Sequence, residues 1–579
     1  MFELSAQFQT NAKIWQSGDW QMALREDEFA DIKFQGIVVL RSIRALIRDQ
    51  NWNTADMVID SFSESAERLE FKVHSVGFGA NFSGTVSVVV NGTLASFHLD
   101  LTTQTDYLTN RTGLVVLHSP TNAGANLSVT HSNGSVEESK FPIQISPNQP
   151  VFDIAGLAWR SEGLDVSVSF EGDVFEMEDQ RNWSDASYKT YNRPLSLPFP
   201  YLLGTGERVL QTVSLTVSAT GLTVAPSAPN KIELTAAGKF AQIQVGASTA
   251  PDTGAVIEAS TSGSSPVAAS ALLVELDLHS SNWRAALERA AKSGLPLDVR
   301  TIVGDLTKSN DLVSALEGLD IIRIAAFDPN LHVSTDQTTA ALSNALAAHG
   351  KKIQVVSGAR SHFTELNREQ HLILQDAEEI VFSTTPMFHA GGTEQLLESV
   401  AMKRIIARQA VQIAGGKPVH IGPITLRPRF NNVATAAEPG PSKKDLSEGY
   451  GAEFTGSVDV RQTSPELGAW VIASAAALSV HGVASLTWFE QWGPRGLADA
   501  NGQPYPAASA VNALADLQGQ ELFSGDSPDG FIWAMAAKTG NQTTILVSNL
   551  NREPTEVEIT IEGAAHLVQL APLSWKKLG

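Results

Sequence analysis

The stretch LLVELDLHSSNWRAALERAAKSGLPLDVRTIV, residues 272–303, decides the fold. Two apolar runs, Leu272–Leu278 and Leu297–Val303, enclose helical text over Trp283–Ser293. Both runs are apolar on both faces, as expected of strands in a parallel sheet covered by helices. The same alternation continues outward. Further strand-like runs are Phe240–Val245, Ile321–Phe327, Ile353–Ser357, Ile380–Thr384, Val419–Leu426 and Ala484–Phe489, and Thr338–His349 reads as another helix. Eight strands alternating with helices over about 250 residues predict a (β/α)8 barrel of the TIM type. An open doubly wound sheet is the competing arrangement. The strand count and the lack of a glycine-rich dinucleotide loop favour the barrel. Its weak points are the short first strand and the long insertion 430–465.

The text on either side is β-rich. Thr85–Val90 and Leu94–Leu101 flank Asn91-Gly92, a hairpin signal. Phe97, Leu99 and Leu101 alternate with polar residues, as do Leu164, Val166, Val168 and Phe170, and Val213, Leu215 and Val217. Period-two alternation gives one wet and one dry face. After about residue 518, Phe531–Ala537, Thr543–Asn549 and Val557–Ile561 are strands again. The fold class expected is therefore α/β plus all-β. It divides into an N-terminal β-sandwich over 1–222, the (β/α)8 barrel over 223–505, and a small C-terminal β-domain over 506–579.

The chain has 579 residues, with 41 Lys and Arg against 62 Asp and Glu, a net charge of −21. So acidic a surface repels nucleic-acid phosphates and anionic lipid, so neither nucleic acid nor membrane is expected as a partner. The chain has no cysteine, which excludes disulfides, thiolate–metal sites and cysteine nucleophiles. MFELSAQFQTNAKIW has neither the basic nor the apolar region of a secretion signal, and no run approaches the ~18 apolar residues of a membrane span. A cytoplasmic location is expected. No HExxH or comparable ligand cluster occurs, so no metal or cofactor is expected.

Barrel sites lie at the C-terminal ends of the strands. There the chain places SHFTELNR (361–368), PMFH (386–389), RPRFN (427–431) and TWFEQWGPR (487–495). Two carboxylates, Glu365 and Glu490, and the imidazole of His389 are the catalytic candidates. One carboxylate near an apolar wall would act as acid and the other as base. The bland reading pairs Glu365 with Arg368 and Glu490 with Arg495. The densest motif lies outside the barrel, in FEMEDQRNWSDASYKTY (175–191). Its carboxylates, cations and aromatic rings suit a polyhydroxylated ligand. Substrate-binding candidates are Glu178, Asp179, Arg181 and Lys189, together with Asn367 and Arg427. The bland reading of this motif is a charge-paired domain interface.

The stretches NRTGLVVLH (110–118), 175–191, FTELNR (363–368), ITLRPRFN (424–431) and SLTWFEQWGPRG (485–496) resemble D-apionate lactonases. That resemblance implies an N-terminal β-domain, a barrel and a C-terminal β-domain. It also implies hydrolysis of the lactone made by oxidising the branched pentose D-apiose, in bacterial apiose catabolism. The chain departs from the family text at TPMFHAGG (385–392), where His389 matches and a following acidic residue does not. It departs again at Gln491-Trp492-Gly493, and Phe240–Gly246 is a loose match. The resemblance makes a sugar-lactone hydrolase the leading reading. A glycoside hydrolase using the same two carboxylates, and a non-catalytic carbohydrate-binding protein, stay open beside it. The partner expected is a small carbohydrate lactone or glycoside.

Overall fold

A computed structural model describes residues 4–10, 12–219, 230–252, 266–373, 377–434, 440–451 and 457–579. Its centre is a closed barrel of eight parallel strands. They are Gln242–Gly246, Leu272–Asp277, Leu297–Ile302, Ile321–Phe327, Ser357–Gly358, Ile380–Thr384, Val419–Ile424 and Val483–Glu490. The first strand pairs with both the second and the eighth, which closes the ring. Across the ring, the fourth and fifth meet through a single parallel bridge, Ile324 to Val355.

The fifth strand is shorter than its apolar text predicts. A Cβ on Gly358 would lie 1.9 Å from the Val381 carbonyl oxygen, so glycine alone permits the approach to the sixth strand. The third and seventh strands are buried at every position, although they carry Asp298, Arg300 and His420. Each of these polar groups has a partner. Asp298 is salt-bridged to Arg300 at 2.5 Å and Arg323 at 2.8 Å, and His420 Nδ1 lies 2.8 Å from Ser485 Oγ.

Before the barrel, seventeen antiparallel strands from Lys13–Ser17 to Arg208–Ala219 join in one hydrogen-bonded sheet around one apolar core. They do not separate into the two sheets of a simple sandwich. Tyr107–His118 links the layers by pairing with Ile37–Asp49, Tyr188–Asn192 and Tyr201–Leu203. Phe97, Leu99 and Leu101 face the core as their alternation requires.

A third sheet has seven strands. Its strands come from both sides of the barrel in sequence. Lys231–Lys239 belongs to this sheet and runs parallel to Thr555–Ile561. The helix Ala507–Ala515 instead packs on the barrel helix Leu467–Leu478. That barrel helix is buried throughout, because it lies between the barrel and the third sheet. Among the described residues, no helix is long and apolar enough to cross a membrane.

The same layer hides a lysine. Lys403, on the helix Thr393–Ala414, is fully buried. Its Nζ donates to Ser474 Oγ at 2.8 Å and lies 3.7 Å from the centre of the Trp470 ring. Burial lowers its pKa well below the ordinary lysine value. The unfolded chain therefore binds a proton that the folded one releases, and stability rises with pH between the folded pKa and the ordinary value. Lys403→Met is expected to unfold at higher urea than the wild type at pH 7, with the difference shrinking by pH 9.5. Equal midpoints at both pH values would show that Lys403 is not the group responsible.

Candidate active site

The segment 175–191 forms the strand Phe175–Asp179, a 3-10 turn over Gln180–Trp183, a left-handed Ser184, and the start of the strand Tyr188–Asn192. The two strands pair so that Glu178 stands opposite Lys189. Lys189 Nζ and Glu178 Oε2 lie 2.6 Å apart. Neighbouring strand residues point to opposite faces, and Asp179 turns into the core. Arg181 Nε and Nη2 reach the Asp179 carboxylate at 2.8 and 2.7 Å, and Nη2 also donates to the Pro142 carbonyl at 2.8 Å. Asp179 accepts the Ser146 N–H as well. Neither side chain of this pair is exposed. Asp179 and Arg181 therefore form a core ion pair, not part of a ligand-binding wall.

The strand-end carboxylates of the barrel are also occupied. Glu365 lies at the start of the helix Phe363–Arg368. Its Oε2 accepts from Ser361 Oγ at 2.6 Å and from the His362 N–H at 3.1 Å, and its Oε1 accepts from Asn432 Nδ2 at 2.6 Å. It closes a capping box with His362. Burial raises its pKa, with the Ser361 contact opposing. Arg368 does not pair with Glu365. It lies 3.7 Å from Glu178.

Glu490 accepts from Thr249 Oγ1 at 2.8 Å, from the Thr249 N–H at 3.1 Å and from Arg495 Nε at 3.1 Å. Asn367 Nδ2 donates to the Ile145 carbonyl and to Asn182 Oδ1. Arg427 is held by Asp459 at 2.8 Å. On the second barrel strand, Glu275 is gripped by Arg360 and Arg429, each at 2.8 Å. Burial alone would raise the Glu275 pKa, but these two cations bring it down to about 2.

The groups that do meet come from both bodies. His389 follows the sixth barrel strand, and its Nδ1 lies 2.8 Å from Asp185 Oδ2. Gln395 Nε2 holds the other Asp185 oxygen at 2.9 Å. Trp183 stacks on Phe388 with ring centres 4.4 Å apart, and its Nε1 donates to Glu178 Oε1 at 3.1 Å. Around them lies a cavity of about 180 Å³, whose wall includes Trp52, Arg111, Glu178, Trp183, Lys189 and His389. A second cavity, of about 360 Å³, shares Arg48, Lys189 and His389 with the first and adds Asp185. Neither Glu365, Glu490, Asn367 nor Arg427 lines either one.

Burial lowers the His389 pKa, with Asp185 pulling the other way. Burial would raise Glu178, but Lys189, His389 and Arg368 together outweigh it and hold the carboxylate ionised. Burial lowers Lys189 against the pull of Glu178. Among the described residues, no cluster of three or more His, Asp or Glu is arranged to hold a metal ion.

Of the expected site residues, Glu178, Lys189 and His389 are brought together. The structure adds Asp185, Arg48, Arg111 and Trp52 to them. Asp185 lay inside the 175–191 motif. No spacing rule links it to a histidine 204 positions away.

Residues 3–220 match the N-terminal domain of D-apionate lactonase, and residues 245–519 match its TIM barrel domain. A D-apionate lactonase from Brucella anthropi is 26% identical over 549 residues, covering 87% of each chain. Among solved structures, SrfJ from Salmonella typhimurium is 8% identical, over 67% of this chain and 97% of its own, with a TM-score of 0.39. A GH30 endoxylanase from Clostridium papyrosolvens is 12% identical, over 60% and 99%, with a TM-score of 0.36. Likenesses at these scores carry no functional argument.

The Asp179–Arg181 pair sets a stability expectation. Removing one partner leaves a buried charge uncompensated, at a cost of about 3–5 kcal/mol. Asp179→Ala should lower the urea midpoint sharply, while Glu178→Ala, at the cavity wall, should lower it far less. The reverse ranking would put Asp179 in the wall instead of the core.

Proposed function

This chain belongs to the D-apionate lactonase family, and from that premise we propose that it hydrolyses a sugar lactone to its aldonate with His389 as the general base. The observation that carries the reading is the Asp185–His389 contact of 2.8 Å at the cavity wall. His389 Nδ1–H donates to Asp185, which fixes the tautomer and leaves Nε2 as a proton acceptor.

A water gives its proton to Nε2 while its oxygen bonds to the lactone carbonyl carbon. The carbonyl electron pair moves onto oxygen, and the Lys189 ammonium stands beside the cavity to stabilise that charge. Collapse breaks the bond to the ring oxygen, which takes the proton back from Nε2. The carboxylic acid formed then ionises and releases one proton to solvent. Glu178, held ionised, is an acceptor for substrate hydroxyls at the cavity wall.

This assignment replaces Glu365 and Glu490 as the proton-transfer groups, because both carboxylates are taken up by neighbouring donors. The glycoside-hydrolase reading has less support at this cavity. Glu178 is tied to Lys189, and Asp185 is tied to His389. No nucleophilic serine elbow of the GxSxG type occurs in the chain, so water is the nucleophile proposed.

The test is proton release in weak buffer with D-apionolactone and other aldonolactones, beside a panel of nitrophenyl glycosides. Acid release from a lactone is expected, falling about a thousandfold in His389→Ala. Nitrophenol release with silence on every lactone would instead favour the glycoside hydrolase. The pH profile adds a second check. Catalysis needs neutral His389, so kcat/KM should rise through a pKa below 6.5 and then level. Asp185 raises that pKa, so in Asp185→Asn the acid limb should move to lower pH as the plateau falls. A limb that stays in place would remove Asp185 from the pair.

A further inference from the structure

The cavity has a charge imbalance that the hydrolysis above does not use. Its wall carries Arg48, Arg111, Lys189 and Arg368, with Glu178 as its carboxylate, in a chain whose net charge is −21. Lys189 and Arg368 both lean on Glu178. Arg48 and Arg111 do not. Among the described residues, no carboxylate lies within 4.0 Å of either guanidinium. The two residues are direct register partners on the antiparallel strands Ile37–Asp49 and Tyr107–His118. Like charges set opposite each other across a strand pair are destabilising.

Both are buried, at 8% and 6% exposure. Arg48 donates Nη1 to the Trp52 carbonyl at 3.0 Å. Burial, only partly offset by Glu178, brings its pKa down to about 10. Arg111 donates Nη1 to the Asn110 carbonyl at 2.7 Å, and its Nε and Nη2 are buried without a hydrogen-bond partner. Its guanidinium lies near three rings, with centres at 5.1 Å for Trp52, 5.2 Å for Tyr191 and 5.9 Å for Phe199. Rings packed against a guanidinium leave its in-plane N–H edge for hydrogen bonding, and that edge matches a planar, two-oxygen acceptor. Buried charged donors left unpaired are costly, and they point to a missing partner.

We propose that Arg48 and Arg111 form a carboxylate receptor inside this cavity, which holds the carboxylate of an aldonate. The identity of the anion rests on the lactonase reading, since ring opening generates that carboxylate beside the two arginines. Free aldonate then competes with lactone for the cavity, and product accumulation slows the enzyme.

The experiment is isothermal titration of the full-length protein with xylonate, with xylitol, which bears a hydroxymethyl group in place of the carboxylate, and with inorganic phosphate. Xylonate should bind more tightly than either of the others and should inhibit lactone hydrolysis competitively. Arg111→Gln and Arg48→Gln should each weaken xylonate binding by about tenfold or more. Arg111→Lys, which keeps the charge and loses the fork, should weaken it less. His389→Ala should still bind xylonate.

Equal binding of xylitol, tighter binding of phosphate, or unchanged xylonate affinity in folded Arg111→Gln and Arg48→Gln would each overturn the proposal. The two readings can fail separately. Xylonate bound through Arg111 by a protein that opens no lactone would leave the receptor and remove the hydrolysis. Lactone turnover with no preference for xylonate over xylitol would do the opposite.

Discussion

The joint between the β-rich N-terminal domain and the barrel fixes everything at the site. Glu178, Asp185 and Lys189 are carried by one body, and Arg368, Phe388 and His389 by the other. Apart from Phe8 and Ile145, which pack with the barrel core, their main apolar cores are separate, so non-directional apolar packing alone does not set the registration. Directional contacts do. Asn182 Oδ1 accepts from Asn367 Nδ2 at 2.9 Å, and the Asn182 carbonyl accepts from Thr364 Oγ1 at 2.9 Å. Ile145 exchanges both backbone groups with the Gln409 amide, at 2.7 and 2.9 Å. Arg41 reaches Glu398 at 2.6 Å. Asn182 belongs to the turn that leads to Asp185, so these contacts hold Asp185 against His389. A misplacement of about 1 Å at such a pair is enough to cost a hundredfold in rate.

The same logic explains what the chain could and could not announce. The barrel was legible because strands buried on both faces must be written as continuous apolar text, and helices must separate them. The fifth strand read too long because apolar character marks burial, not ladder pairing: of Ile353–Ser357, Ser357 joins the ladder and Val355 makes a single bridge. The N-terminal alternation gave its dry faces correctly. It could not say that Tyr107–His118 would pair with three partners and fuse the layers. Such pairings are non-local and leave no periodic trace.

At the site, the strand-end rule pointed to Glu365 and Glu490, and the competing use of each carboxylate was partly readable. The spacing His362-x-x-Glu365 suits a capping box, where a glutamate satisfies orphan N–H groups at a helix start. Glu490 and Arg495 are close enough in sequence to pair, as they do. Glu178 and Asp179 are adjacent in a strand, so only one could face a ligand, and the core took Asp179 because Arg181 went with it. The Asp185–His389 contact had no such local signature. It exists only because two domains fold first and then meet.

The cations around His389 tie catalysis to the anion in the cavity. Burial disfavours the imidazolium, Asp185 favours it, and Lys189 and Arg48 oppose it. Burial outweighs Asp185, so the balance leaves a neutral imidazole with its pKa below the ordinary histidine value, free to take a proton from water near neutral pH. A carboxylate settled between Arg48 and Arg111 cancels part of that positive field. The imidazole then holds a proton more readily, and a protonated His389 cannot activate the next water. Loss of the aldonate restores both the field and the base. A pair of like-charged arginines on adjacent strands is costly for stability. Its return is the positive edge that the carboxylate receptor proposed for this cavity requires.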